Sequence, residues 1–382
     1  MYKNQNYKFH NAFGLYYAAA KETIETFTKF FRKSLVTVWK VWYNQNAQAK
    51  SSFEERIKMT LTQLAKLTGT SVATVSKAFS GSCEISEVTR NRIFDAAKEH
   101  GCFDKYYKAP RSRPLIALLP PEPESEYYGR ELGMIEKALS QRGADTIIAF
   151  TRFDAERQAQ LFRELAYGLK VDGIIMWGMG KELKNPEHIP LIAIATASQP
   201  HNADVVRLNL FDGIAKVAEV IKAYGHSEIG FLGERFTVYK EDTLKKAMRR
   251  IGLSFHDKYF FRSKLRFAEA GEDGMMELIK RNAVPTVIVA AYDQIAYGAM
   301  RAARNAGYKI PEDISFIGMD DISSTPYFDV PLTSLNVDFD AVCPQIVDLM
   351  FKRIENRYYR SREELTVPVR LNIRESLRDL NA

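Results

Sequence analysis

The 382 residues are 46% hydrophobic and 26% charged, an ordinary globular composition with length for two or three domains. Three cysteines, Cys83, Cys102 and Cys343, stand far apart with no Cys-x-x-Cys and no Cys/His cluster; this argues against a disulfide framework or a metal site and fits a reducing cytoplasm. No apolar run approaches the roughly 20 residues of a spanning helix, and the N-terminus lacks the basic, apolar, small-residue order of a signal peptide, so the sequence reads as a soluble cytoplasmic protein with no membrane partner.

The formal charge of +7 is unevenly spread. Residues 1–58 hold ten Lys/Arg against four Glu, and residues 59–113 hold nine against five acidic residues, which leaves the remainder slightly acidic. A basic front points to an anionic partner there; a solubilising spread of charge is the plainer alternative.

In chain order, residues 1–58 are rich in Lys, Asn, Tyr and Phe, with an irregular helix-length stretch at 18–43. Residues 60–100 predict three short helices. Thr60 followed by Gln63 is a capping-box pattern before an apolar stripe of Leu61, Leu64, Ala65 and Leu67, ended by Gly69. Ser71 caps a second helix carrying Val72, Val75, Ala78 and Phe79. Ser86 caps a third, with Val88, Ile93, Ala96 and Ala97 inward and Gly101 as its stop. DKYYKAPRSRP, 104–114, is basic, aromatic and broken by Pro110 and Pro114, and reads as a linker. From 115 onward, β-rich runs (LIALLP, DTIIAF, GIIMWG, LIAIAT, EIGFLGE, TVIVAA, ISFIGMD) alternate with amphipathic helices that mostly end at Gly. Such alternation predicts parallel sheets flanked by helices, about seven strands in two similar lobes, with any ligand beyond the strands' carboxyl ends.

GTSVATVSKAF, 69–79, is compact and rich in hydroxyls. Two short helices joined by a tight glycine turn make a helix-turn-helix, whose second helix enters the DNA major groove. Small leading residues keep that helix slim, and Ser/Thr hydroxyls at its N-terminus suit phosphates. Val75 and Phe79 are expected to anchor it, with Val72, Ala73 and Lys77 pointing outward. A plain three-helix bundle without DNA is the alternative.

The run TLTQLAKLTGTSVATVSKAFSGSCEISEVTRNRIFDAAKEHG closely resembles the DNA-binding domain of LacI/GalR-family transcription regulators. Ser71, Thr74, Val75, Ser76, Ser86, Thr89 and Arg90 match its pattern. DGIIM, AYGHSEIGFLG, AAYDQIAYGAMRAARNAGYKIPEDISFIGMDDI and PLTSLNVD continue the resemblance in order, from residue 59 to about 378. The resemblance implies an all-α helix-turn-helix head (59–103), a linker (104–114) and an α/β, two-lobed periplasmic-binding-protein-like domain (115–382), its lobes joined by crossovers near Asp212, Asn336 and Arg357. It implies a homodimer on a palindromic double-stranded DNA operator, modulated by a small molecule, with no cofactor and no catalysis. Val72, Ala73 and Lys77 take base-reading positions. Ser71, Thr74 and Ser76 hold phosphates, and Thr60 and Thr70 join the DNA-contact set.

Three departures stand out. The family's hinge helix with its wedge leucine is replaced by KYYKAPRSRPLIAL, in which two prolines disfavour a helix. Arg111 and Arg113 are then expected along the DNA backbone or in the minor groove, a solvated tether being the alternative. The positions implied for effector binding are Ser125, Tyr127, Trp177, Thr196, Lys240, Tyr292, Asp293 and Asp320. They lack the Asp-Arg and Asn that suit vicinal hydroxyls, so an ordinary hexose is disfavoured against a sugar derivative or another ligand, or a cleft that closes without one. Residues 1–58 precede the family's usual start near Met59, and read either as upstream sequence from a misplaced start or as a basic extension. A solute-binding protein for transport or chemotaxis would use the same lobes but needs export. For an enzyme, WGMGK lacks a third glycine, and no Ser/His/Asp set is discernible.

Overall fold

A computed structural model describes residues 59–80, 82, 84–107, 111–178, 183, 189–195, 203–356 and 361–382. Thr196 and residues 1–58 lie outside these. The chain divides between Lys108 and Ala109 into two compact units.

The first unit is helical: α1 (Leu61–Leu67), α2 (Val72–Phe79), α3 (Glu87–Glu99) and α4 (Phe103–Tyr107). The caps fall where the sequence places them. The Thr60–Gln63 capping box closes the start of α1, Ser71 Oγ accepts from Thr74 N at 3.0 Å, and Ser86 Oγ accepts from Thr89 N at 3.2 Å. Gly69 makes the turn between α1 and α2 at φ +62°, a conformation that favours glycine. Leu64, Val75, Ala78, Ile93 and Ala97 form the core with an aromatic cluster. In it Phe79 and Phe94 lie 4.9 Å apart, and Phe103 stacks on Tyr107 at 4.8 Å. Three expectations give way. Leu67 is 51% exposed and Val88 81% exposed, because each sits one position off its helix's buried stripe, with Phe94 in the core instead. The first part of the expected linker is helix α4, whose Phe103 and Tyr107 are needed to seal the core.

The second unit has two six-stranded sheets. The first takes the order β11-β5-β4-β3-β1-β2. Its strands are β1 (Leu115–Leu119), β2 (Asp145–Ile148), β3 (Gly173–Trp177), β4 (Leu191–Ala195), β5 (Asp204–Leu208) and β11 (Glu364–Val367). The second runs β12-β10-β9-β8-β6-β7, from β6 (Ile229–Glu234), β7 (Phe260–Ser263), β8 (Val287–Ala290), β9 (Ser315–Met319), β10 (Thr333–Val337) and β12 (Val369–Asn372). All pairings are parallel except β10 with β12. Helices α5 (Glu126–Gln141), α6 (Ala155–Arg163, continued by a π turn to Gly168) and α11 (Cys343–Glu355) go with the first sheet; α7 (Leu210–Ala223), α8 (Val238–Arg250), α9 (Phe267–Lys280) and α10 (Asp293–Asn305) go with the second. Strands β3 and β4 are buried throughout, as central parallel strands covered on both faces must be.

The chain crosses between the lobes after β5, after β10 and at Pro368 between β11 and β12. The first two lie near Asp212 and Asn336 as expected. The third does not lie near Arg357, because α11 and β11 on either side of that residue both belong to the first lobe. All three crossovers involve the β5/β11 edge of one sheet and the β10/β12 edge of the other.

Candidate functional site

Two surfaces carry chemistry. On α2, Val75, Ala78 and Phe79 are buried while Ser71, Val72, Ala73, Ser76 and Lys77 face solvent, the division the period of 3.6 demands. Val72 and Ala73 offer only methyl groups, suited to a thymine methyl; the Lys77 ammonium can donate to base acceptors. Lys77 pairs with Glu84, but both side chains are largely exposed, so the pair exchanges readily with another acceptor. Ser71 and Thr74 bond each other at 2.8 Å, and Thr60 is held in its capping box, which fixes these hydroxyls at two helix N-termini. Thr70 bonds the buried Thr68 at 2.9 Å and braces the turn. Arg90, which matches the resembled pattern, is buried and donates to Ser82 O at 2.6 Å.

Arg111 and Arg113 are placed differently from the expectation. Arg111 donates to the carbonyls of Leu169 and, at 3.0 Å, Lys170. Arg113 donates to Gly143 O at 2.9 Å and Ala144 O at 3.2 Å, beside Asp145 at 3.3 Å. Both guanidinium groups strap the segment entering β1 to the second unit, where helix- and turn-end carbonyls supply better-defined partners than solvent.

The second surface is the cleft at the carboxyl ends of the strands. From the first lobe come Ser125 before α5, Tyr127 on its first turn and Trp177 at the end of β3. The second lobe supplies Lys240 on α8, Tyr292 before α10 and Asp320 after β9. Lys240 Nζ reaches Ala291 O at 2.8 Å and Asp320 Oδ1 at 3.2 Å. Asp320 sits at φ +100° and Asp321 at +47°, left-handed values uncommon outside glycine. That turn sends Asp320 to Lys240 and Asp321 to Arg374 and Asn372, at 2.8 and 2.7 Å. Burial raises the Asp320 carboxyl, and the Lys240 ammonium pulls it back. The Tyr292 hydroxyl accepts from Phe267 N at 3.0 Å; burial pushes it up to about 12.

Asp293 is fully buried and its carboxylate is spent inside the lobe. It accepts from Ser334 Oγ at 2.5 Å and Ile322 N at 2.9 Å, which pins the loop after β9. With both oxygens so engaged it positions Asp320 rather than facing the cleft. Burial raises its carboxyl strongly.

Several cleft residues were not legible in the sequence. Glu131, on α5 one turn after Tyr127, is 2% exposed; the Trp177 indole donates to one carboxylate oxygen and the other has no hydrogen-bond partner. Burial pushes its carboxyl up to about 7, with Asp320 adding to the rise and Tyr127 and Trp177 opposing it. The signal was a charged residue in register with the buried Ile135 and Leu139. The Tyr127 and Tyr128 rings meet edge to face at 5.2 Å beside it. Glu122 and Arg266 pair across the cleft, with Nη2 to Oε1 at 2.8 Å. These groups can take a small polar molecule with ring faces, a hydrogen-bond acceptor for its donors, and one ammonium.

Residues 60–102 match the family of bacterial regulatory proteins, lacI family, and residues 218–377 match a periplasmic binding protein-like domain. The chain is 28% identical over 295 residues to the transcriptional regulator DegA of Bacillus subtilis, covering 73% of this chain and 86% of that one. It is 26% identical to the repressor CytR of Escherichia coli, with 72% and 84% covered. Its fold is that of a CelR–cellobiose complex (22% identity, TM-score 0.60, covering 84% of this chain and 100% of that one). It is also that of the lac repressor dimer bound to operator (22%, TM-score 0.60, 83% and 98%). A helix-turn-helix head and a two-lobed sensor define a DNA-binding transcription regulator. The chain carries a lacI-family DNA-binding head and a periplasmic binding protein-like domain, the make-up of a LacI-type regulator.

Proposed function

We propose that this regulator binds a palindromic operator as a homodimer in the cytoplasm, and that a small molecule in the inter-lobe cleft, a sugar or a sugar derivative, modulates it without catalysis. The exposed Val72-Ala73-Lys77 face of a capped, firmly anchored helix carries the DNA reading. Val72, Ala73 and Lys77 address bases, while Ser71, Thr74, Ser76, Thr60 and Thr70 lie toward phosphates; Arg111 and Arg113 drop out of the contact set. Around the effector stand Tyr127, Trp177, Lys240, Tyr292 and Asp320, joined by Glu131, whose unbonded oxygen suits a ligand hydroxyl or amine. Ser125 and Thr196 complete the proposed set, and Asp293 supports it from behind.

Proteins of the same fold include a regulator bound to cellobiose and one from Lactobacillus casei bound to sucrose, which makes a carbohydrate panel the first to test. Isothermal calorimetry of the full chain should give heat with at least one member, lost in Lys240→Ala; a panel with no heat from any member would remove the sugar. For the homodimer, Tyr297 and Tyr327 are exposed beside a cavity of about 330 Å³ lined by Tyr297, Met300, Arg301, Arg304, Phe328 and Val330. Clustered exposed aromatic surface of this kind suits a self-association face. Residues 1–58 stay open between a basic extension and upstream sequence; the intact mass of native protein decides.

A further inference from the structure

We infer that the sensor rests closed without effector, held shut by a latch of its own residues, Glu122–Arg266 and Phe153–Phe236, at the mouth opposite the crossovers. This concerns the regulation of the cleft proposed above and rests on that reading only for its consequence, not for its geometry.

The latch has two layers. Glu122, in the loop after β1, is buried and takes both Nη groups of Arg266, which precedes α9 in the other lobe. Such fork-to-fork pairing fixes geometry as well as charge. Next to it, Phe153 from the loop after β2 stacks on Phe236 from the loop after β6, with ring centres 4.1 Å apart and planes 20° apart. The Arg266 guanidinium lies 5.5 Å from Phe153, 5.1 Å from Phe236 and 4.5 Å from Phe267. One arginine is therefore boxed by rings from both lobes and paired with an acid from the facing lobe.

Position gives the latch leverage. Glu122 and Phe153 follow β1 and β2, the outer pair of one sheet. Phe236 and Arg266 follow β6 and β7, the outer pair of the other. The three crossovers occupy the opposite edges, so opening about them separates the latch residues first. The backbone is held out of its preferred regions to build the contact: Arg152, Phe153 and Phe267 sit at φ +59°, +58° and +55°. Non-glycine residues keep such values only where surrounding contacts over-determine them. A second bridge nearer the middle adds to closure, Ser323 N and Oγ donating to Glu126 at 3.1 and 2.8 Å.

All of these contacts are between residues of the chain itself. Opening the lobes to admit a molecule parts Glu122 from Arg266, and the apparent affinity of a ligand that requires the open state is reduced by the fraction of molecules that are open.

The test is a distance between the lobes. Spin labels at Glu156→Cys and Met276→Cys, both exposed positions, report closure in the full chain carrying Cys83→Ser, by pulsed dipolar spectroscopy without ligand. The expected result is one short distance for the parent. Arg266→Gln and Glu122→Gln should each add a longer one, raising the open-to-closed ratio on the order of tenfold or more, since the first strands the buried Glu122 carboxylate and the second removes the cross-lobe partner of the half-buried Arg266. The swapped pair E122R/R266E should restore the short distance, which a variant that merely misfolds would not do. A parent already spread to long distances, or an Arg266→Gln variant that keeps the short one, overturns the latch. Calorimetry on the same proteins separates the two readings: heat absent from every sugar with the distances behaving as expected defeats the effector, not the latch.

Discussion

Glu131 lies at the floor of the cleft with one carboxylate oxygen on Trp177 and the other unbonded, a costly arrangement for a charge. Its folded-state carboxyl is raised to about 7 from 4.5. A raised carboxyl means the folded state holds the proton more tightly than the unfolded one. Stability therefore falls as pH climbs from about 4.5 to about 7, and is flat above; the full effect is at most about 3 kcal/mol. Asp320, Asp293 and Glu234 are raised too, so the protein's own slope is shared among them. Glu131→Gln keeps an acceptor for the indole and removes one share. It should gain stability over the parent at pH 8 and little at pH 5, read from urea midpoints; an equal difference at both would show that the carboxyl does not titrate as placed. At this scale the sequence was partly legible. The outward face of α2 follows from periodicity alone. Asp293 turns inward and Glu131 is buried beside Trp177 because of partners across the fold, Ser334 for one and Trp177 for the other, which the local sequence does not reveal.

Helices α9 and α10 cross closely, and two glycines make this feasible. A Cβ at Gly271 would lie 1.9 Å from Ile295 O, and one at Gly298 would lie 1.8 Å from Ala268 O. Backbone cannot yield as a side-chain end can, so Gly298→Ala should cost about 1–3 kcal/mol or more, the range of overpacking; an unchanged denaturation midpoint would contradict the packing. In the head, Ser71→Ala removes the N-cap of α2 and should cost about 1 kcal/mol, with DNA affinity falling alongside. Glycine-terminated helices and Ser/Thr caps were readable because they act within a few residues. Five strands were not: β5, β7, β10, β11 and β12. FFRS and TSLNV are short and partly polar, and β11 and β12 are outermost strands whose alternation is faint. Their pairing is set by distant neighbours such as Arg207 on β5 with Glu364 on β11.

For the whole molecule, the chain that returns from the second lobe is tied firmly into the first. Arg353 on the returning helix α11 forms two 2.6 Å bonds with Asp204 at the start of β5, both buried. Removing one member of a buried pair strands the other, so Asp204→Ala should cost about 3–5 kcal/mol in chemical denaturation; a loss below ~1 kcal/mol would mean the site rehydrates. Two units, a helical head and a pair of parallel lobes were legible from the change in pattern near residue 115. The crossover at Pro368 and the strapping of Arg111 and Arg113 were not, because both depend on which carbonyls and strand edges the fold leaves open.

The DNA reading is tested most directly by selecting a site for the full chain from a random duplex pool. Fluorescence anisotropy at physiological salt then compares that site with a scrambled one. A palindrome bound at least ~10³-fold tighter than scramble is expected of a specific regulator, with Lys77→Ala losing about 1–3 kcal/mol of discrimination at one symmetric position. Equal, weak and salt-sensitive binding to both duplexes would contradict the assignment of α2 as the reading helix.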